Sequence, residues 1–266
     1  MNVCCKLEAP HVHSPEGPIL LHDASAFEKM RKAGALAASI LDRITPFVKA
    51  GTTTGELDRL CDDMIRASDA IPAPLHYKGY PKSICTSLNH VVCHGIPGEA
   101  CLKNGDILNI DVTVILDGWY GDTSRMFVVG HVPPHTQKLI DVTKQALHEA
   151  IHLVRPGCYL GDIGHHIQTL AQQHGFSVVR DYCGHGIGQF FHGPPSVLHV
   201  GEPGTGVKLE PGMMFTIEPM LNMGKPGTKL LSDGWTVVTK DKSLSAQFEH
   251  TLGVTQDGCE IFTQSV

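Results

Sequence analysis

The stretch ILNIDVTVILDGWYGDTSRMFVVG, residues 107–130, decides how this chain is read. ILNIDVTVIL has strand character, and Asp117-Gly118 separates it from a second β-rich run. An Asp-Gly pair between two such runs signals a hairpin. With a two-residue turn there, Ser124 faces Asp111. Asp122 then lies two residues along the same face, diagonal to Asp111. A three-residue turn would break that arrangement. Carboxylates in so apolar a setting are costly unless they are paired or bound to a metal.

Working outward, Phe27, Met30, Ala33, Leu36, Ala37, Ile40, Leu41 and Ile44 recur at helical spacing from Ser25 to about Val48, with Gly51 as a stop. Thr54 is positioned to cap a second helix carrying Leu57, Leu60, Cys61, Met64 and Ile65. A proline-rich stretch, Pro72 to Pro81, precedes the strand-like SICTSL. Residues 136–154 and 159–173 read as two more helices, and a second β-rich stretch runs from Ser177 to the end.

Helices then strands, twice, prompts a search for a repeat. VKAGTTTGELD at 48–58 matches VRPGCYLGDIG at 154–164, and LKNGDILNID at 102–111 matches LEPGMMFTIE at 209–218. Asp117-Gly118-Trp119 is echoed by Asp233-Gly234-Trp235, and His94-Gly95-Ile96 by His185-Gly186-Ile187. Four matches in one order point to a duplicated α+β domain. The expected organisation is an irregular arm, 1–22, and one domain, 23–266, with pseudo-repeats over about 23–134 and 135–263.

The repeat puts Asp111, in NID, and Glu218, in TIE, in equivalent places, each read as ending an apolar strand. Glu249 in SAQFEHTLGV takes the place that Asp122 holds in the first half. A pseudo-two-fold would gather all four carboxylates. Unaided, they would repel and some would stay protonated. Two divalent cations balance the charge, and one histidine completes the set, with His185, His192 and His94 as candidates. Oxygen-rich ligands with one imidazole suit Mn, Fe(II) or Co, and also admit Zn. Such a pair activates water and polarises a carbonyl. Asp106, Asp117 and Asp233 have turn contexts.

Composition narrows the classes. With 266 residues and 42% hydrophobic content, the chain has enough material for a core, which excludes a disordered chain or a disulfide-stapled miniprotein. Lys plus Arg number 21 against 27 for Asp plus Glu, a net charge of −6, which argues against a generic nucleic-acid binder. The first twenty residues lack a secretory pattern, and no apolar run is long enough to span a membrane. Nine cysteines without a C-x-x-C pair read as reduced thiols in a cytoplasmic protein.

YCGHGIGQFFHGPPSVLH, NIDVTVILDGWYGDTSRMF, MFTIEPM and SAQFEHT occur in that order. Over about residues 23–263 the chain resembles the type I methionine aminopeptidases of the M24 metallopeptidase family. The resemblance implies the pita-bread fold: α+β, internally duplicated with pseudo-two-fold symmetry, with a curved, mostly antiparallel sheet and helices on its outer face. It implies removal of the initiator methionine from nascent chains whose second residue is small. Asp111, Asp122, His185, Glu218 and Glu249 match the five ligands of two metal ions (Co, Mn, Fe(II) or Zn). Asp122 and Glu249 would bridge, and Glu218 would shuttle a proton. His94 would bond the scissile amide, and His192 would stabilise the tetrahedral intermediate. Tyr77, Tyr80, Cys85, Phe191 and Trp235 match a methionine pocket, and Asn89, Val91 and Ser245 a monovalent cation site for Na or K. The implied partners are nascent N-termini. A monomer is expected, and ribosome association is compatible with the family although no motif for it is visible.

Three positions depart from the family pattern. Gly193 stands where an acidic residue is frequent, Pro74 where a cysteine is common, and His90 where Glu is frequent. Cys4 and Cys5 lack zinc-finger spacing, and only 33 residues separate His185 from Glu218, as in the compact bacterial form. Competing readings are a peptidase that cleaves before proline, a binding module that has lost catalysis, and a creatinase-like enzyme without metal. The intact ligand set argues against the last two.

Overall fold

The computed structural model describes residues 10–265. Cys4, Cys5 and the rest of the first nine residues lie outside the described residues. The chain opens with a hairpin of β1 (His11–Ser14) and β2 (Gly17–Leu20), paired in antiparallel register from His11↔Leu20 to Ser14↔Gly17. Residues 11–20 are therefore not irregular, as the sequence suggested. The hairpin is held by tertiary packing of the fully buried Ile19, which no local pattern reveals.

Helix α1 (Ala24–Ile44) starts at Asp23, whose carboxylate accepts the Ala26 N–H at 2.9 Å, and buries Phe27, Met30, Ala33, Ala37, Ile40 and Leu41. It ends before Gly51, because Pro46 in the following 3-10 turn has no N–H to extend the ladder. Helix α2 (Thr54–Arg66) is capped by Thr53 rather than Thr54. Glu56 at the third helical position completes a capping box with Thr53, and that sets the boundary. Then come β3 (Ile71–Pro72), β4 (Cys85–Leu88), β5 (Val91–Cys93), β6 (Ile107–Leu116) and β7 (Trp119–Val128).

The second half repeats the order with α3 (Pro134–His152) and α4 (Leu160–Gln173). The strands after them are β8 (Ser177–Val178), β9 (Gly184–Gly186), β10 (Gly193–Val197), β11 (Met214–Ile217), β12 (Met220–Asn222), β13 (Thr228–Leu230), β14 (Val237–Thr239), β15 (Ser245–Gln247), β16 (His250–Val254) and β17 (Cys259–Ile261). Backbone bonds recur across the halves. Gly51, Thr54 and Gly55 donate to Leu102, Ala100 and Gly98, and Gly157, Leu160 and Gly161 donate to Leu209, Val207 and Thr205. Each donor and acceptor reappears 106 or 107 residues later.

All ladders between the described strands are antiparallel. The β6–β7 hairpin turns on Asp117 and Gly118, with φ of 50° and 80°, the left-handed pair that a two-residue turn requires. Asp111 faces Ser124 and Thr113 faces Asp122, as the two-residue turn predicts. Ile110, Val112 and Val114 of β6 pack with Leu41, Ile44 and Leu57 of α1 and α2. The alternate residues, Asp111 and Thr113, therefore face the other way. Phe215 and Ile217 of β11 pack with Leu139 and Ile163 of α3 and α4. Asp111 sits mid-strand rather than at a strand end, while Glu218 directly follows β11. Among the described residues no helix is long and apolar enough to cross a membrane, and seven cysteines are free thiols.

Candidate metal centre

Three segments of the chain deliver carboxylates to one place. The β6–β7 hairpin brings Asp111 and Asp122. β11 projects Glu218 from its end. Glu249, between β15 and β16, forms an isolated bridge with Ser124. Ligand atoms of Asp122, His185 and Glu249 all lie within 4.8 Å of one another. His185 Nε2 is 3.6 Å from Asp122 Oδ2 and 3.7 Å from Glu218 Oε1.

The supports around these groups are specific. The Thr113 hydroxyl donates to Asp122 Oδ1 at 2.7 Å. Glu218 Oε1 accepts from Thr216 Oγ1 at 2.9 Å and Oε2 from Gln247 Nε2 at 3.2 Å. The same Thr216 oxygen accepts the His185 backbone N–H at 3.0 Å. The fully buried His199 accepts the Glu218 N–H at its Nε2. His185 Nδ1 lies 3.1 Å from the Gly186 carbonyl, which leaves Nε2 for the cavity.

The electrostatics call for a cation. Burial, then the charges of Asp122 and Glu218, raise the Asp111 carboxyl well above its ordinary range. Burial and the charge of Asp122 raise Glu249 likewise. Burial is the largest cause at Glu218, which is raised to about 7 against the pull of His185. Burial opposes the charged form of His185, but Asp122 and Glu218 outweigh it and raise its pKa. Asp111 Oδ1 is buried with no hydrogen-bond partner. An orphaned carboxylate oxygen, mutually repelling carboxylates and one imidazole fit divalent metal ions.

A cavity of about 380 Å³ opens over this cluster. Its lining includes Asp111, Asp122, His185, Glu218 and Glu249, together with His94 and His192 and the expected pocket residues Tyr77, Tyr80, Cys85, Phe191 and Trp235. His192 lies against His185 with ring centroids 4.2 Å apart and planes tilted by 48°, and its Nδ1 lies 3.0 Å from the Tyr77 hydroxyl. Burial, then the charge of His185, lowers His192 to about 3. His94, in the left-handed region at φ 56°, is lowered by burial. The Tyr80 hydroxyl donates to the carbonyls of Ile84 and Gly95, bracing the turn that carries His94. Asn89, Val91 and Ser245 stand apart from the cavity lining, where the Asn89 carbonyl accepts the Ser245 N–H at 2.9 Å. Pro74 lines the cavity, whereas His90 and Gly193 do not.

The lining also holds Lys78, Cys93, Thr113, Asp181, Tyr182, Cys183, Gly184 and Ser196, which the sequence analysis does not single out. Thr113 is legible in the sequence, being two residues from Asp111 on the same face. Thr216 and Gln247 are not, because their role depends on how distant strands meet.

The profile of Metallopeptidase family M24 matches residues 28–256. The methionine aminopeptidase of Rickettsia prowazekii is 62% identical over 248 residues, covering 93% of this chain and 96% of the relative. That of Escherichia coli is 56% identical, covering 89% of this chain and 90% of the relative. The crystal structure of the Rickettsia prowazekii enzyme superposes with a TM-score of 0.92, over 92% of this chain and all of that one. The prolidase of Pyrococcus horikoshii shares the fold alone. It matches at TM-score 0.74 and 17% identity, and this chain spans 64% of it.

Proposed function

Because the chain belongs to metallopeptidase family M24 and is a metal-dependent aminopeptidase that removes N-terminal methionine, with the pita-bread fold of its relatives, we propose how its residues divide the work. Asp111, Asp122, His185, Glu218 and Glu249 would hold two divalent ions, Co, Mn, Fe(II) or Zn. When bound, such ions would supply an activated water and a Lewis acid for the scissile carbonyl. Glu218 takes the proton from the attacking water and delivers it to the departing amine. His94 bonds the scissile amide. His192 donates from Nε2 to the oxygen that gains charge. With Tyr77 O–H donating to Nδ1, Nε2 carries the proton that this role needs.

Tyr77, Tyr80, Cys85, Phe191 and Trp235 enclose the methionine side chain. The closed wall around that pocket favours a small second residue in the substrate, a nascent polypeptide. Asn89, Val91 and Ser245 would hold a monovalent cation, Na or K. In support, Asn222 pairs with Ser245, and its Oδ1 is buried without a partner. The repeated backbone bonds support a duplicated domain, 23–266, with halves about 23–134 and 135–263. The enzyme works in the cytoplasm as a monomer, compatible with action at the ribosome.

The observation that carries this reading is the convergence of four carboxylates and His185 beneath His94 and His192 in one cavity. The test is hydrolysis of Met-Ala-Ser by metal-stripped protein with Mn, Fe(II), Co or Zn restored singly, beside a Xaa-Pro peptide. Metal-dependent methionine release with Xaa-Pro untouched is expected. Cleavage of Xaa-Pro alone would overturn the substrate assignment.

A further inference from the structure

The β1–β2 hairpin precedes the family match, yet its turn reaches the rim of the cavity. The turn is Pro15-Glu16, and the Glu16 carboxylate accepts the backbone N–H of Ser196 at 2.8 Å. Ser196 lines the cavity and stands opposite His185 in the β9–β10 ladder. Glu16 itself does not line the cavity.

The local sequence explains why β10 needs this tie. β10 is the outermost strand of its sheet. Its run Gly193-Pro194-Pro195-Ser196 contains two successive prolines, neither of which has an N–H to donate. The register against β9 shifts between Gly193 and Ser196. Ser196 is therefore the first backbone donor after Gly193, and its partner comes from outside the sheet. A carboxylate acceptor makes that bond stronger than a neutral one.

The Glu16 side is braced. The Ser14 hydroxyl donates to the Gly17 carbonyl at 2.7 Å and accepts the Glu16 N–H at 3.2 Å. The base of the hairpin is fixed by buried Ile19 and by the His22 N–H donating to the Gly212 carbonyl at 2.8 Å. The tie thus runs from a packed hairpin to an edge strand whose first residue directly follows His192.

We propose that Glu16 is a positioning residue. Its carboxylate fixes β10, the strand that directly follows His192, and so holds Ser196 opposite His185 at the cavity. The inference rests on the role given to His192 above. It gives the N-terminal hairpin a part in the reaction although the hairpin touches no substrate.

The test uses the full chain with Glu16→Ala and Glu16→Gln. Glutamine keeps an acceptor oxygen without the charge. Amide exchange at Ser196 should accelerate about tenfold in Glu16→Ala and far less in Glu16→Gln. With Mn loaded, kcat on Met-Ala-Ser should fall about fivefold in Glu16→Ala while KM stays within about twofold, and Glu16→Gln should recover most of the loss. Unchanged exchange in Glu16→Ala overturns the tie. Faster exchange with unchanged kcat overturns positioning, and equal damage in both variants overturns the hydrogen bond in favour of charge. The exchange readout needs neither metal nor substrate. A failure of the assigned chemistry is read separately, as undiminished turnover in His192→Ala.

Discussion

Thr113 stands directly across the β6–β7 ladder from Asp122, and its hydroxyl donates to one carboxylate oxygen over 2.7 Å. The other oxygen is left facing His185 Nε2 at 3.6 Å. The hydroxyl therefore fixes the orientation of the carboxylate that faces the metal site. Thr113→Val keeps the β-branch and removes the donor. Metal affinity, titrated into stripped protein, should fall roughly tenfold. Unchanged affinity would mean that the ladder alone orients Asp122.

That pairing also shows what the sequence could reveal. Asp117-Gly118 fixes the turn, the turn fixes the register, and the register places Asp111, Thr113, Asp122 and Ser124 on one face. Helical spacing likewise predicts the buried face of α1. The cap choice within the run Thr52-Thr53-Thr54 is set by Glu56, which completes a capping box with Thr53 three residues before it. The bonds of Glu218 to Thr216, Gln247 and His199 join segments whose approach is set by packing, so no spacing rule points to them. The contact of Glu16 with Ser196 spans 180 positions and is invisible for the same reason.

Removal of metal should make stability depend on pH in a definite direction. Burial, with the charge of Asp122 adding to it, raises Asp111, Glu218 and Glu249, and Glu218 moves from 4.5 to about 7. Between those two values these three carboxyls hold more protons in the folded metal-free protein than in the unfolded chain, so their own contribution to stability falls as pH rises, while the buried neutral His192, His199 and His250 act in the opposite direction with or without metal. The gain in melting temperature on loading metal should therefore grow from about pH 5 through pH 7. Metal binding should release protons over the same window, measurable by calorimetry in two buffers of different ionisation enthalpy. A metal-induced gain that does not change with pH would contradict the raised carboxyls.

Glu218→Gln preserves the shape and the bond from Thr216 but cannot carry a proton. Turnover should fall by about two to three orders of magnitude while substrate binding is partly retained. Steady-state kcat and KM on Met-Ala-Ser separate the two effects. Near-normal kcat would remove Glu218 as the proton shuttle.

Phe191 packs on Tyr77, with centroids 4.8 Å apart, and Trp235 meets Tyr80 edge-on at 5.1 Å. These rings wall the cavity around the side chain being selected. Phe191→Ala or Trp235→Ala should cut the preference for methionine over smaller first residues by roughly tenfold. Competition between Met-Ala-Ser and Ala-Ala-Ser measures it directly. An unaltered ratio would remove these rings from the pocket.

Gly121 precedes Asp122 on β7, and a Cβ there would lie 2.4 Å from the carbonyl carbon and oxygen of Ala33 and 2.6 Å from the Gly34 nitrogen. These are backbone atoms of α1 and cannot rotate aside. Gly121→Ala must lift the helix or shift the strand, and a shifted strand carries Asp122 with it. A loss of about 2–3 kcal/mol in unfolding free energy is expected. Metal affinity should fall together with it. Gly118, at the tip of the same hairpin, provides the contrast. Its φ is 80°, and a Cβ would meet nothing within 4 Å. Gly118→Asn, which tolerates the left-handed region, should stay within about 0.5 kcal/mol of the parent and bind metal normally. Denaturant unfolding of both variants, paired with metal titration, tests whether the flush contact of α1 on β7 sets the position of Asp122. Equal stability and equal affinity in the two variants would show that it does not.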